Sequence, residues 1–367
     1  MASAKSSSSA AKQTRARLAL PRPTKWTLPS VRPRTASTKA ARGFITKAVS
    51  APLRPKVAPD VTESQAATAE KIGVSLDTIR FGFPKGSLQE ATEDLFARAG
   101  YSVKVKSRNY FPSIDDDNFK LILFRSQEIP RYVEDGVLDA GICGQDWVVE
   151  NGSDVIEVCE LKYSKATSNP ARWVIAVPED SHVQTAADLA GTIVCSELVQ
   201  TTEKFFADRG IAVKKVEYSW GATEVKAGLP GIGAIVDITE TGSSLVANKL
   251  RIVDTILAST TRLVANRAAW EDPEKRRKIE DLALLLQGAI DGRTNIGLKM
   301  NLRADRVKEF CQLLPSEQSP TVSALIDSDF VAVEVVVDES LCRQLVATCK
   351  RMGATGIVTY PLNVAVH

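Results

Sequence analysis

The sequence predicts an α/β protein built as two lobes, with the chain crossing between them, followed by a small βαββαβ unit. Three observations predict it. From residue 77 onward, short β-rich runs alternate with helix-period segments, the pattern of parallel α/β construction. A second strand–helix series opens at "RWVIAVP" (172–178) after the first has run its course. From residue 293 the order changes to strand, helix, two strands, helix, strand.

The elements follow in order. "TIRFGF" (78–83) alternates and is rich in β-formers. "GSLQEATEDLFARAG" reads as a helix with Leu88, Ala91, Leu95, Phe96 and Ala99 on one face and Gly100 as its stop. A strand over 121–124, a helix over 127–135, the short strand "LDAGICG" and the helix "QDWVVENG" complete the first series. The second runs "RWVIAVP", "TIVCS", helix "VQTTEKFFADRG", "VKKVEY" and "GAIVD". Strands "LRIVDTILAS" and "RLVANRAAW" lead out of it. In "EDPEKRRKIEDLALLLQGAIDGR", Asp272 caps a long helix, Pro273 suits its first turn, and Gly292 ends it. Its apolar stripe is Ile279, Leu282, Ala283, Leu286 and Ile290. The last segment, "NIGLKMNL", "RADRVKEFCQLL", "TVSALID", "FVAVEVVVD", "ESLCRQLVATCKRMG" and "TGIVTYPL", makes a ferredoxin-like unit. The expected boundaries are a linker at 60–76, lobe I at 77–172 plus 256–292, lobe II at 173–255, and the last domain at 293–367. Such lobes place a ligand cleft at the C-terminal ends of their strands. The appended unit suits a regulatory ligand or an oligomer contact. No internal repeat is found.

The composition, 44% hydrophobic and 25% charged over 367 residues, is that of an ordinary globular protein. No run reaches the roughly 18 to 20 apolar residues of a membrane span. The net charge of +3 hides an asymmetry. Residues 1–59 carry 13 Lys/Arg and no acid, leaving 34 basic and 44 acidic side chains, a net of −10, in 60–367. An acidic body argues against a nucleic-acid binder. The leader also holds 14 Ser/Thr. Its composition is that of an organelle transit peptide, plastid before mitochondrial, the alternative being a disordered basic arm. The six cysteines, Cys143, Cys159, Cys195, Cys311, Cys342 and Cys349, are scattered without a CxxC pair, which suggests buried thiols rather than a disulfide frame or zinc site. The two histidines, His182 in a turn and His367, make a His–metal cluster or a Ser–His–Asp triad an unlikely basis for chemistry.

Three stretches hold candidate functional residues. In "DITETGSSL" (237–245), Thr241, Gly242, Ser243 and Ser244 follow a strand and begin a helix. Hydroxyls and backbone N–H groups there suit a phosphate, and equally a capped turn. Asp237 beside them makes sense for a ligand that carries hydroxyls as well as phosphate, such as a ribose 5-phosphate. In "GFPKGSLQEA", Lys85 and Gly86 occupy a strand-to-helix loop, either at a polyphosphate or in solvent, and no P-loop motif is present. In "FRSQEIPRYVEDGVLDAGICGQDWV" (124–148), Asp146 either lines the cleft or caps the helix "WVVENG", and Asp139 serves structure at a strand start.

The spacing of Arg125, the acid-Ile-Pro of 128–130, Tyr132–Val133, Gly136, Asp139, Gly141, Gly144 and Asp146 resembles the ATP phosphoribosyltransferase family, over roughly residues 77–367. Glu224 stands thirteen residues before Asp237, as in the family signature, and "TGSSL" matches its phosphate segment at Thr241, Gly242 and Leu245. Pro230 replaces an expected Gly, Ile232 a small residue, and Ser244 a Thr; Ser87 follows Lys85-Gly86 where the family has Arg.

The resemblance implies a periplasmic-binding-protein-like catalytic core and an ACT-like regulatory domain. It implies transfer of phosphoribose from phosphoribosyl pyrophosphate (PRPP) to N1 of ATP, with Mg²⁺, as the first step of histidine biosynthesis. On matching positions, Thr241, Gly242, Ser243 and Ser244 hold the 5-phosphate, and Asp237 and Glu224 take the ribose hydroxyls. Lys85, Gly86, Arg125 and Asp146 lie on the ATP and pyrophosphate side, and no protein-held metal site is implied. Histidine is the implied inhibitor, with Thr321 and Asn301 as its contacts, acting on a dimer or hexamer. The rival expectation is a two-lobed solute-binding or regulatory protein without catalysis, which would call for a secretory signal and would not need Glu224 and Asp237 beside Thr241–Ser244.

Overall fold

The computed structural model describes residues 78–366 apart from 107, 164–169, 316–318 and 327–328. The leader, the linker at 60–76 and His367 lie outside the described residues.

Lobe I grows around β1 (Ile79–Lys85), where Ile79, Phe81 and Phe83 point into one core. Helix α1 (Gln89–Arg98) lays Leu88, Ala91, Leu95, Phe96 and Ala99 on that core, as its periodicity requires. Gly100 stops it at φ +96°. Next come β2 (Phe119–Arg125), α2 (Ile129–Glu134), β3 (Ala140–Gly144), α3 (Gln145–Asn151) and β4 (Ile156–Leu161). Strand β4 was not foreseen in the sequence reading.

Lobe II comprises β5 (Ala171–Pro178), β6 (Ile193–Ser196), α4 (Val199–Asp208), β7 (Lys215–Tyr218), β8 (Ile232–Thr239), α5 (Ser243–Ala247) and β9 (Leu250–Ser259). Its sheet order is β7-β6-β8-β5-β9, with β6 parallel to β7 and β8 and β5 antiparallel to β8 and β9. The chain then returns to lobe I as β10 (Thr261–Ala265), giving the order β2-β1-β3-β10-β4. The return crossing therefore falls at Thr260 rather than at 255/256, because β9 stays paired with β5 to Ser259. Likewise β5 starts at Ala171, so lobe II takes in residues expected in lobe I.

The expected strand "RLVANRAAW" splits. Asn266 accepts from the amides of Ala268 and Ala269 and caps a short helix, α6 (Arg267–Glu271). Helix α7 (Pro273–Thr294) starts at its Asp272 cap and buries the expected stripe. It does not end at Gly292.

The third sheet contains β11 (Asn295–Arg303), β12 (Thr321–Ala324), β13 (Phe330–Asp338) and β14 (Thr355–Pro361) in the antiparallel order β12-β13-β11-β14. That is the ferredoxin-like arrangement. Helices α8 (Val307–Cys311) and α9 (Glu339–Arg351) join one core with Leu298, Met300, Leu302, Val333, Val335 and Val337. Helix α8 is shorter than the expected 303–314 because its first residues form a 3₁₀ turn. Among the described residues all six cysteines are free thiols; Cys159 is half-buried, Cys311 exposed and the rest buried. No helix among them is long and apolar enough to cross a membrane.

After β14 the chain folds back over lobe I. The Ala365 amide donates to the Gly288 carbonyl (2.8 Å), and Arg98 donates to the carbonyls of Leu362 (3.1 Å) and Gly292 (3.3 Å). Gly292 is thus a close-approach residue: a Cβ there would lie 2.7 Å from the Asn363 carbonyl oxygen. Gly292→Ala is expected to destabilise the protein by roughly 1–3 kcal/mol in chemical denaturation, against the ~1 kcal/mol gain of Ala in an unobstructed helix. A gain in stability would show that the tail yields freely.

Candidate active site

The ends of β1 and β2 bring the first cations together. Lys85 and Arg125 are register partners at the C-terminal ends of these parallel strands. Gly86 follows at φ +114°, and its carbonyl accepts from the Gln89 amide as the chain turns into α1. The Lys85 ammonium lies 4.2 Å from the centre of the Tyr110 ring.

A cavity of about 430 Å³ opens here between the lobes. Lobe I contributes Lys85, Gly86, Ser87, Arg125, Gln127 and Asp146, and lobe II contributes Trp173, Glu197, Ile238, Thr239 and Glu240. The cavity lies where the strand ends of both sheets meet. Thr241–Ser244 begin one residue past its lining, and Asp237 and Glu224 are also outside that lining.

The hydroxyl loop is shaped by Gly242, whose φ of +82° lets β8 turn directly into α5. The Gly242 amide donates to Thr239 Oγ1 (2.8 Å), and the Ser243 amide to Thr241 Oγ1 (3.3 Å). Buried Leu245 anchors the turn, while Thr241, Ser243 and Ser244 face solvent. The segment is a capped turn whose Thr241, Ser243 and Ser244 hydroxyls stand at the surface. Ile232 packs against the same small cluster as Leu245 and Ala227. Pro230 is exposed, next to Gly231 at φ +88°.

Asp237 is set apart electrostatically. Burial pushes its carboxyl up to about 6, helped by the negative charges of Glu224 and Glu197, while the Ile238 amide works the other way. Glu224 sits in a 3₁₀ turn, Thr223–Lys226. Glu197, at the end of β6, was missed in the sequence. Burial raises its pKa too, and Gln127 of lobe I hydrogen-bonds it across the cleft. An acid at a strand end was its only sequence signal.

Asp146 does not cap α3; Gly144 holds the N-cap position. Its Oδ2 accepts from Trp173 Nε1 (2.7 Å) and its Oδ1 from Ser259 Oγ (2.9 Å). A Cβ on Gly144 would sit 2.0 Å from Oδ1, so only glycine leaves room for this carboxylate. Burial raises its pKa against the pull of these donors. Asp139 accepts from Arg80 (2.8 and 3.0 Å) and Lys275 (2.9 Å) within lobe I. Burial alone would raise its pKa, but these cations hold it low, as a structural ion pair does.

Fold and site together define a bilobal α/β core with a ligand cleft between the lobes and a separate C-terminal domain. The family model for ATP phosphoribosyltransferase (HisG) matches residues 125–288, and the model for the HisG C-terminal domain matches 293–364. The chain is 52% identical to the ATP phosphoribosyltransferase of Pelotomaculum thermopropionicum over 286 residues, 78% of this chain and 98% of that protein. It is 51% identical to that of Chlorobaculum parvum over 290 residues, 79% and 98% of the two chains. The ATP phosphoribosyl transferase (HisG:HisZ) complex from Thermotoga maritima shares the fold, with TM-score 0.50 and 24% identity over 58% of this chain and 99% of that one. The chain belongs to the ATP phosphoribosyltransferase family, pentosyltransferases of histidine biosynthesis.

Asp237 takes up its proton near pH 6 when folded, against an ordinary value of 3.8. The folded state binds more protons between those values, so the residue costs stability as pH rises through that window. Asp237→Asn should therefore raise Tm at about pH 7.5, with the gain shrinking toward about pH 4.5. Calorimetry at both pH values checks this; a loss of Tm at the higher pH would contradict it.

Proposed function

We propose that ATP and PRPP meet in the interlobe cleft, with ATP and pyrophosphate oxygens on lobe I and the PRPP ribose 5-phosphate on lobe II. The observation that carries the reading is the division of charge across the cleft. Lys85 and Arg125 stand on one wall, and the Asp237–Glu224 pair with the Thr241–Ser244 turn belongs to the other lobe. In this reading the amides and hydroxyls of Thr241, Gly242, Ser243 and Ser244 hold the 5-phosphate. Asp237 and Glu224 accept from the ribose hydroxyls. The adenine N1 attacks C1 of the ribose, the C1–O bond to pyrophosphate breaks, and its electron pair leaves with pyrophosphate. Lys85 and Arg125 neutralise the departing charge, with Gly86 allowing close approach. No protein nucleophile is required, and positioning carries the rate.

Among the described residues no group of three or more His, Cys, Asp or Glu is arranged to hold a metal ion. A divalent cation, Mg²⁺ in this proposal, would come with the pyrophosphate rather than sit in a protein-held site, which leaves Asp237 and Glu224 to the ribose hydroxyls. When bound it supplies charge neutralisation for the leaving group.

Histidine is the proposed feedback inhibitor, and its proposed seat is the face of the third sheet opposite its helices. Thr321 opens the edge strand, while Asn301 lies in β11, and pairing puts both on the face that carries Lys299 and Glu334. There the Tyr360 hydroxyl donates to Glu334, and Lys299 lies 3.7 Å from it. Inhibition follows if histidine favours one state of a dimer or hexamer. Plastid localisation through a cleaved leader completes the proposal, with mitochondria as the alternative; imaging of a tagged full chain tests it.

The deciding assay supplies ATP, PRPP and Mg²⁺ to the purified protein and follows phosphoribosyl-ATP absorbance under pyrophosphatase, with and without EDTA. Absence of product would defeat the reading. Asp237→Asn is expected to lower kcat/KM for PRPP by about tenfold or more and to remove the acid limb near pH 6 that wild type should show. Thr321→Ala and Asn301→Ala should weaken histidine inhibition several-fold, about 1 kcal/mol of coupling, with the uninhibited rate intact. Unchanged inhibition in both would remove that seat.

A further inference from the structure

Helix α3 is joined to lobe I through β3, yet both of its buried carboxylates are engaged by lobe II. Asp146 and Glu150 stand four residues apart, on one face of the helix, and are 2% and 8% exposed. Asp146 takes the indole N–H of Trp173 on β5 and the hydroxyl of Ser259 on β9. Glu150 Oε1 accepts from the Gln200 amide (2.9 Å), and Oε2 from the Thr201 amide (2.9 Å) and hydroxyl (2.7 Å).

Those amides form the first turn of α4, whose own N-cap position holds Leu198, a residue with no side-chain oxygen. One lobe thus supplies the cap of a helix in the other. Between the two carboxylates, Trp147 meets Trp173 edge-on at 6.0 Å. At the end of α3, Asn151 donates to the carbonyl of Gln127, whose side chain reaches Glu197 of lobe II. All four carboxylate oxygens of Asp146 and Glu150 accept protein donors from the opposite lobe.

We propose that Asp146 and Glu150 are positioning residues for phosphoribosyl transfer: they latch α3 to lobe II and set the gap across which the two substrates react. This rests on the placement of ATP and pyrophosphate oxygens on lobe I and of the PRPP ribose 5-phosphate on lobe II. Reacting atoms must come within about 3–3.5 Å, and a misplacement of about 1 Å costs on the order of a hundredfold in rate. ATP alone, by contrast, needs only lobe I, whereas PRPP reaches from its 5-phosphate on lobe II to its pyrophosphate on lobe I. The latch therefore acts on turnover and on the grip of PRPP, and not on ATP binding. Asp146, expected on the ATP side of the cleft, lines the cavity while both of its carboxylate oxygens take protein donors.

The test uses the full chain. Calorimetric titration gives the Kd of ATP and of PRPP separately, and initial rates give kcat. Glu150→Ala is expected to lower kcat by about tenfold or more, with the Kd of ATP within about twofold and amide exchange quickened at Gln200 and Thr201. Glu150→Gln, which keeps one acceptor oxygen, should recover most of the rate. Asp146→Asn can accept from Trp173 and donate to Ser259, so it should keep kcat within about threefold, while Asp146→Ala loses about tenfold. The Asn variant remains informative even where an Ala variant fails to fold. Two results overturn the proposal. One is wild-type kcat in Glu150→Ala despite quickened exchange. The other is a loss in Asp146→Asn as deep as in Asp146→Ala, which would mean that the charge itself acts on substrate. Lys85→Met and Ser243→Ala report the substrate placement separately: Ser243→Ala should weaken the Kd of PRPP alone, and Lys85→Met those of both substrates. Failure of that pattern unseats the placement, not the latch contacts.

Discussion

The lobes are held together by buried carboxylates that each need a partner from the other side. A carboxylate out of water is costly unless every oxygen is satisfied. Asp146 has only Trp173 and Ser259 as side-chain donors, and Glu150 has the first turn of α4. The lobes cannot drift apart without stranding these acceptors and leaving the α4 amides uncapped. The space for this arrangement comes from a missing atom, the Cβ that Gly144 lacks. Everything that faces the cleft inherits its position from that constraint.

Charge is distributed around this frame in a way that stability alone would not select. Asp139 satisfies its charge with Arg80 and Lys275 and is held ionised. Among the described residues Asp237 has no such cation; burial, helped by the charges of Glu224 and Glu197, pushes its carboxyl up to about 6. One acid is settled within the fold and the other is left in want of donors. That contrast is what the proposed role of Asp237 toward a ligand with hydroxyl groups rests on.

Much of this was legible in the sequence because it rests on local pattern. The stripe of α1, the Asp272 cap of α7 and the Gly242 turn each depend on neighbours within a few residues. The combined spacing of 124–148 and of Glu224 with Asp237 disclosed the family before any geometry was known. What escaped depends on distant partners. Gly292 looked like a stop because the tail segment that leans on it lies some seventy residues on, at Asn363. Asp146 looked like a cap or a ligand contact because its partners are on β5 and β9. Glu150 drew no notice at all. Leu198 was the one available hint, since a leucine at a helix start leaves donors that something else must satisfy.

The tail that crosses α7 has a consequence for the order in which the protein is made. Lobe II is a continuous segment, 171–259, and can close as soon as it leaves the ribosome. Lobe I opens with Ile79, waits for β10 and α7, and is covered only when Asn363 to Ala365 settle over Gly288 and Gly292. Between those moments the glycine-lined groove of α7 stands open in the nascent chain, and contacts of such long sequence separation form late. The lobe that begins first is therefore completed after both of the others.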